Sequence, residues 1–244
     1  MLINEFMEYI TTHKIFSIIN NPTNLKIVLF GNCHISTIGF YLNILLEKKY
    51  NIYMILGYNG GKICNDNEKN KIWNLINDSQ YFIYMKHNND FSLKANIIDT
   101  FAKNEIYLIP NIQLHFTNIY NTHTDTDEIL IENFKKSYTQ CHESIKNSDF
   151  QNFLFILDNY KEIRFFNTPT HPTHYILYLL AFDIYNKILN KDIKINLDYY
   201  KNRKNDDIFI NSDTVILDSF FDYDEKECNI LNINYNSEYY DINF

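Results

Sequence analysis

The feature that most constrains this chain is a repeated alternation of apolar, β-branched runs with segments of helical spacing. Leu25-Lys26-Ile27-Val28-Leu29-Phe30, closed by Gly31, is almost continuously apolar, the pattern of a strand covered on both faces in a parallel sheet. From His34 to Lys49 the apolar residues return to helical spacing. The same signals predict a strand from Tyr50 to Leu56, a Gly-rich loop from Gly57 to Gly61 and a helix from Glu68 to Asn77. A strand from Gln80 to Met85, a helix from Ser92 to Lys103 and a strand from Glu105 to Ile109 follow. Strands that alternate with helices need crossover connections, so the expected class is α/β, a doubly wound, mostly parallel sheet with helices on both faces.

The flanks complete this frame. Phe6, Ile10, Phe16 and Ile19 share a helical face over residues 2 to 20, and Asn20-Asn21-Pro22 reads as a helix stop. Residues 126 to 160 predict one or two helices, with Asp125-Thr126-Asp127-Glu128 as a capped, acidic first turn. Glu162 to Phe166 predicts a short strand, and Thr173 to Leu189 a long helix. Beyond Asn190 the pattern breaks into short apolar pieces among Asn and Asp. The expected organisation is therefore one α/β domain over residues 1–190, with 191–244 a C-terminal extension packed on it.

Composition excludes several classes. Lys and Arg total 22 against 30 Asp and Glu, a net charge of -8, which argues against nucleic acid as a partner because phosphate neutralisation needs clustered cations. No run approaches the roughly 20 apolar residues that span a bilayer, and Met1-Leu2-Ile3-Asn4-Glu5 lacks a signal-like pattern, so no membrane insertion is expected. Cys33, Cys64, Cys141 and Cys228 are scattered without a CxxC pair, which fits a reducing, cytoplasmic compartment. His115, His123, His142 and His174 show no HExxH-like spacing, so no metal is expected.

With only 5 Gly and 4 Pro in 244 residues, the places that use them are informative. Ligands of open parallel sheets bind beyond the carboxyl ends of the strands, and the loop after the first apolar strand reads Gly31-Asn32-Cys33-His34. Gly31 permits a tight turn and Asn32 offers an amide donor. Cys33 falls at the start of the next helix, where the dipole and unpaired N–H groups favour a thiolate and can cradle an oxyanion. A cysteine simply buried in a turn is the plain alternative.

Asn167-Thr168-Pro169-Thr170-His171-Pro172 forms the second constellation, between a short strand and a long helix. A histidine between prolines has a restricted backbone, as an aimed general base requires. The alternative is that Pro172 only starts the helix, with His171 just before it. Lys86 and His87, after the strand ending at Met85, could hold a phosphate or be solvated residues, and Lys62 invites the same two readings. The lone Gly60-Gly61-Lys62 lacks the spacing of a P-loop.

A nucleophile after the first strand and a histidine late in the chain is the order of SGNH-type hydrolases. Two departures stand out, Thr168-Pro169-Thr170-His171 in place of Asp-x-x-His and Gly31-Asn32-Cys33 in place of Gly-Asp-Ser. The strand and turn from Ile27 to Cys33, the Ile109-Pro110-Asn111 strand end and Asn167 through Pro172 resemble more closely the WcbI-like polysaccharide biosynthesis enzymes. That SGNH-related family binds coenzyme A, and its members are proposed acetyltransferases. The family's usual Gln after the cysteine is His34 here, and its Gln-containing strand end is Tyr84-Met85-Lys86-His87.

The resemblance implies an SGNH-like three-layer sandwich that moves an acetyl group from acetyl-coenzyme A to a hydroxyl of a sugar or glycan precursor. It implies Cys33, His171 and Asn32 as catalytic residues, with Gly31, His34, Lys86, His87, Asn167 and Thr168 toward coenzyme A. A hydrolase using the same residues with water, and a non-catalytic module binding a nucleotide or glycan, are the alternatives. A homo-oligomer is compatible with all three.

Overall fold

The computed structural model describes residues 13–57, 65–85, 104–114, 126–161, 165–168, 171–191 and 229–233. The predicted helix from Ser92 to Lys103, most of the Gly57 to Gly61 loop, Lys62, Lys86 and His87 lie outside the described residues.

Five strands, β1 (His13–Ile18), β2 (Lys26–Gly31), β3 (Asn51–Gly57), β4 (Tyr81–Met85) and β5 (Glu105–Ile109), form one sheet in the order β1-β3-β2-β4-β5. β2 to β5 run parallel to their neighbours, and β1 pairs antiparallel with β3. The helices are α1 (His34–Leu45), α2 (Asp66–Asn77), α3 (Asp127–Lys146), the short α4 (Phe155–Asn159) and α5 (His174–Ile188).

β2 lies at the centre of the sheet, and Ile27, Val28 and Leu29 are all 0% exposed, so both faces are covered. Successive side chains of a strand point to opposite faces. Ile27 and Leu29 accordingly join Ile52, Met54, Ile83 and Met85 in the larger core. Val28 and Phe30 join Ile55, Phe82, Tyr84 and Leu108 in the smaller one. Ile35, Ile38 and Leu42 of α1, Ile176, Leu180 and Ile184 of α5, and Phe134 and Ile145 of α3 complete the larger core. Ile72 and Ile76 of α2 cover the other face. The fold is thus a doubly wound, three-layer α/β/α arrangement, as the alternation of signals predicts. Ile233, far along the chain, belongs to the larger core as well.

One expectation is corrected. His13–Ile18, inside the segment read as a helix over residues 2 to 20, is a strand. Its apolar spacing is compatible with either structure, and the choice is made by β3, whose outer N–H and C=O groups β1 satisfies. Of the short strand read over Glu162 to Phe166, residues 162–164 lie outside the described residues. β6 (Phe166–Thr168) pairs antiparallel with β7 (His171–Pro172), so the Pro-flanked histidine belongs to a two-stranded hairpin. The acidic start of α3 at Asp127 and Glu128 forms as read, although Thr126 makes no capping bond through its side chain.

The turn between β1 and β2 is organised by a residue of β3. The Asn51 Oδ1 accepts from the N–H groups of Asn20 at 2.9 Å and Asn21 at 3.3 Å, and its Nδ2 donates to the Asn21 carbonyl at 2.7 Å.

Candidate functional site

Among the parallel strands the order is β3-β2-β4-β5, so the chain winds one way from β2 to β3 and then crosses to the opposite side of β2 to form β4. The crevice beyond the carboxyl ends of β2 and β4 is therefore the topological switch point, where doubly wound sheets bind ligands. Gly31-Asn32-Cys33 stands on one side of it, and Met85 ends the strand on the other.

Gly31 is required for space. A Cβ there would lie 2.7 Å from the Met85 Cβ and 2.9 Å from the Ile35 Cγ2, well inside van der Waals contact, so the absent side chain lets β2 end tight against β4. The chain then turns into α1 with Cys33 as its N-cap, at φ -57° and ψ -26°. Cys33 is half-buried against the larger core. Cys141 on α3 is its opposite. It is 2% exposed, and burial pushes its thiol up to about 12. Cys64 and Cys228 lie outside the described residues.

Polar contacts at the start of α1 differ from the expectation of open N–H donors. The N–H of His34 donates to the Asn32 Oδ1 at 3.0 Å. The N–H groups of Ile35 and Ser36 donate to the carbonyls of Asn32 and Cys33, each at 3.2 Å, and the Ser36 hydroxyl donates to the Cys33 carbonyl at 2.7 Å. Three N–H groups of the first turn, those of His34, Ile35 and Ser36, thus have acceptors within the turn. His34 is 2% exposed, so its ring packs inside the protein.

Asn32 also reaches across the sheet. Its Nδ2 donates to the Oδ1 of Asn111 at 3.1 Å. Adjacent strands lie about 4.8 Å apart, so β2 and β5, with β4 between them, are about 10 Å apart and meet only through side chains passing over the end of β4. The N–H of Asn111 in turn donates to the Ser144 Oγ at 2.8 Å. A buried polar rail thus runs from α3 through Asn111 and Asn32 to the first turn of α1, with Asn32 8% and Asn111 7% exposed. Sequence reading marked Pro110-Asn111 as a strand end but assigned Asn111 no role. Ser144 carried no signal, being one polar residue of an amphipathic helix.

Of Asn167, Thr168 and His171 only the backbone is described. The Tyr81 hydroxyl, at the start of β4, donates to the Ile188 carbonyl, at the end of α5, at 3.4 Å. α5 therefore runs against the strands and begins at their carboxyl ends, the end at which Cys33 stands. Tyr41 of α1 and Tyr178 of α5 meet edge to face at 5.4 Å. Tyr41 lies about two turns beyond Cys33, and Tyr178 about one turn into α5, whose start follows the hairpin that holds His171. The backbones of Cys33 and His171 thus share one rim of the sheet.

Among the described residues no group of three or more His, Cys, Asp or Glu is placed to hold a metal ion, and no helix is long and apolar enough to cross a membrane.

No family model matches the chain, and comparison with curated proteins finds no match. Among solved structures the chain is similar to WcbI, described as a novel polysaccharide biosynthesis enzyme, with 10% identity and a TM-score of 0.46 over 70% of this chain and 71% of that one. It is also similar to a protein from Parabacteroides merdae described as a GDSL-like lipase, with 12% identity and a TM-score of 0.33 over 70% of this chain and 98% of that one.

Proposed function

We propose that this protein is an acyl-transfer enzyme that moves an acetyl group from acetyl-coenzyme A to a hydroxyl of a sugar or glycan precursor in polysaccharide biosynthesis. The observation that carries the reading is the half-buried Cys33 thiol at the start of α1, beside the crevice at the switch point of the sheet. The positive end of the helix favours the thiolate, the form that attacks carbonyl carbon. The backbone of His171 at the same rim, and the resemblance of both loops to WcbI-like enzymes, support the choice of partners.

In the covalent route the Cys33 thiolate adds to the thioester carbonyl, forming a C–S bond while the carbonyl electron pair moves to oxygen. Collapse of this intermediate breaks the bond to coenzyme A, which leaves as a thiolate and takes up a proton. His171 then removes the proton of the acceptor hydroxyl as its oxygen attacks the acyl carbon, and Cys33 leaves as thiolate. In the direct route His171 activates the hydroxyl for attack on acetyl-coenzyme A, and Cys33 only lines the pocket. Lys86 and His87 supply cations for the phosphates of the donor, and Gly31, Asn167 and Thr168 form the rest of its seat.

Intact-mass measurement after incubation with acetyl-coenzyme A tests the reading. The expected result is one acetyl group, absent from Cys33→Ala. An unchanged transfer rate in Cys33→Ala eliminates the covalent route. Cleavage of simple aryl acetates with no use of the coenzyme identifies a hydrolase instead.

A further inference from the structure

The end of the sheet opposite the crevice gathers apolar side chains outside the core. Among the described residues the three most exposed large apolar side chains are Leu25 and Ile44, each 55% exposed, and Ile19 at 49%, and all three stand at this end with the exposed Leu189. Ile19 and Leu25 open and close the turn between β1 and β2, Ile44 lies in the last turn of α1, and Leu189 is the C-cap of α5. Polar contacts tie these tips into one surface. The Asn20 Nδ2 donates to the Asn43 Oδ1 of α1 at 2.8 Å, and the Asn24 Nδ2 donates to the Lys48 carbonyl at 3.3 Å. At the end of α5 the Lys191 Nζ donates to the Tyr185 hydroxyl at 2.6 Å. The Glu47 carboxyl is held below the usual range first by its hydrogen bond with Lys49 and further by the nearby Lys191, which joins the ends of α1 and α5. Single exposed aliphatic side chains are ordinary on a protein surface, but four converging on the tips of three chain reversals are not.

The charge of this surface is opposite to that of the molecule. Residues 19–25, 44–50 and 187–191 carry four lysines, Lys48, Lys49, Lys187 and Lys191, against one carboxylate, Glu47, in a chain of net charge -8. A second copy would set these lysines against themselves across a two-fold axis, so the complementary partner is anionic. Protruding aliphatic tips with lysines beside them match an anionic bilayer. It takes in apolar side chains without a shaped pocket, while lysine stems lie along it with their ammonium groups among the phosphates.

We infer that this end of the protein is a docking surface for an anionic lipid bilayer, with Ile19, Leu25, Ile44 and Leu189 entering the headgroup region and Lys48, Lys49 and Lys191 pairing with lipid phosphates. The chain rests on the bilayer without spanning it. The docking tips lie at the amino ends of the parallel strands, so the crevice beside Cys33, at their carboxyl ends, faces the aqueous phase. The inference is independent of the acyl-transfer reading.

Flotation of the full chain with vesicles of equal parts phosphatidylcholine and phosphatidylglycerol, at low salt, tests it. Binding to these vesicles is expected, with little or none to pure phosphatidylcholine, and it should decline as salt screens the lysines. Lys48→Gln, Lys49→Gln and Lys191→Gln combined should weaken it about 100-fold, at about 5-fold for each lysine. Lys187 is spared because its Nζ lies over the Phe150 ring at 5.2 Å. Leu25→Ser with Ile44→Ser should weaken binding about 10-fold and leave its salt dependence in place. All five replaced side chains are exposed, so both variants should keep the wild-type urea midpoint. Absence of binding to the anionic vesicles, or binding of either folded variant as tight as wild type, overturns the inference. So does a wild-type dimer in sedimentation velocity that Leu25→Ser with Ile44→Ser dissociates, which assigns the face to a second copy.

Discussion

Replacing Asn51 tests how the fold is held at the end of the sheet opposite the site. Asn51 is 1% exposed and makes two bonds through Oδ1 and one through Nδ2 to the main chain of Asn20 and Asn21. Asn51→Ala removes all three, at about 1 kcal/mol net for each. Asn20 and Asn21 are exposed, so water recovers part of the loss, and a destabilisation of about 2 kcal/mol is expected. With a urea dependence of about 2–3 kcal/mol per molar for a chain of this size, the unfolding midpoint falls by about 1 M. Asn51→Asp sharpens the test. It keeps the acceptor for both N–H groups but sets an oxygen against the Asn21 carbonyl, so folding favours the protonated carboxyl and raises its pKa above the unfolded value of about 3.9. The stability this gives is present below the unfolded pKa and is lost as pH rises through the folded one. Urea titrations at several pH values measure both effects. An Asn51→Ala midpoint equal to wild type, or an Asn51→Asp deficit that does not shrink in acid, would refute the reasoning.

Other perturbations act nearer the site and in the core. Cys141 is held neutral by burial, from 9.0 up to about 12, so its contribution to stability is complete below 9.0 and declines as pH rises toward about 12. Unfolding free energies of wild type should therefore fall more steeply through that window than those of Cys141→Ala, by up to about 1.4 kcal/mol per pH unit, and parallel curves would count against it. Gly31→Ala places a Cβ 2.7 Å from the Met85 Cβ and should cost about 1–3 kcal/mol in thermal unfolding. Because the clash is with a Cβ, Met85→Ala should not relieve it, and rescue by that change would show that the strain lies elsewhere.

The sheet was legible because its signals are local. β2, β3, β4 and β5, with α1, α2, α3 and α5, start and end within a few residues of the apolar runs and helical spacings that announce them. β1 was misread because Phe16 and Ile19 fit a helical stripe, while its strand conformation is imposed by β3, distant in the chain. The pairing of Phe166 with Pro172 in a separate hairpin had no comparable local signal. At the site, Gly31 and Cys33 were marked by rarity and position. The partnership of Asn32 with Asn111 spans 79 residues in a chain rich in asparagine. No spacing rule singles out such a pair, so this contact could be found only in three dimensions.

The two-sided burial of β2 has a consequence for how this chain can vary. Because Ile27 and Leu29 serve one hydrophobic interior while Val28 and Phe30 serve the other, losing or gaining one residue between Lys26 and Gly31 would exchange the faces of all residues beyond the change. Conservative replacements within the strand leave the parity intact, whereas a frame shift of one would swing the thiol to the wrong level above the sheet. The height of Cys33 is thus fixed by counting along the central strand, where the number of residues constrains the site more tightly than the choice among apolar side chains.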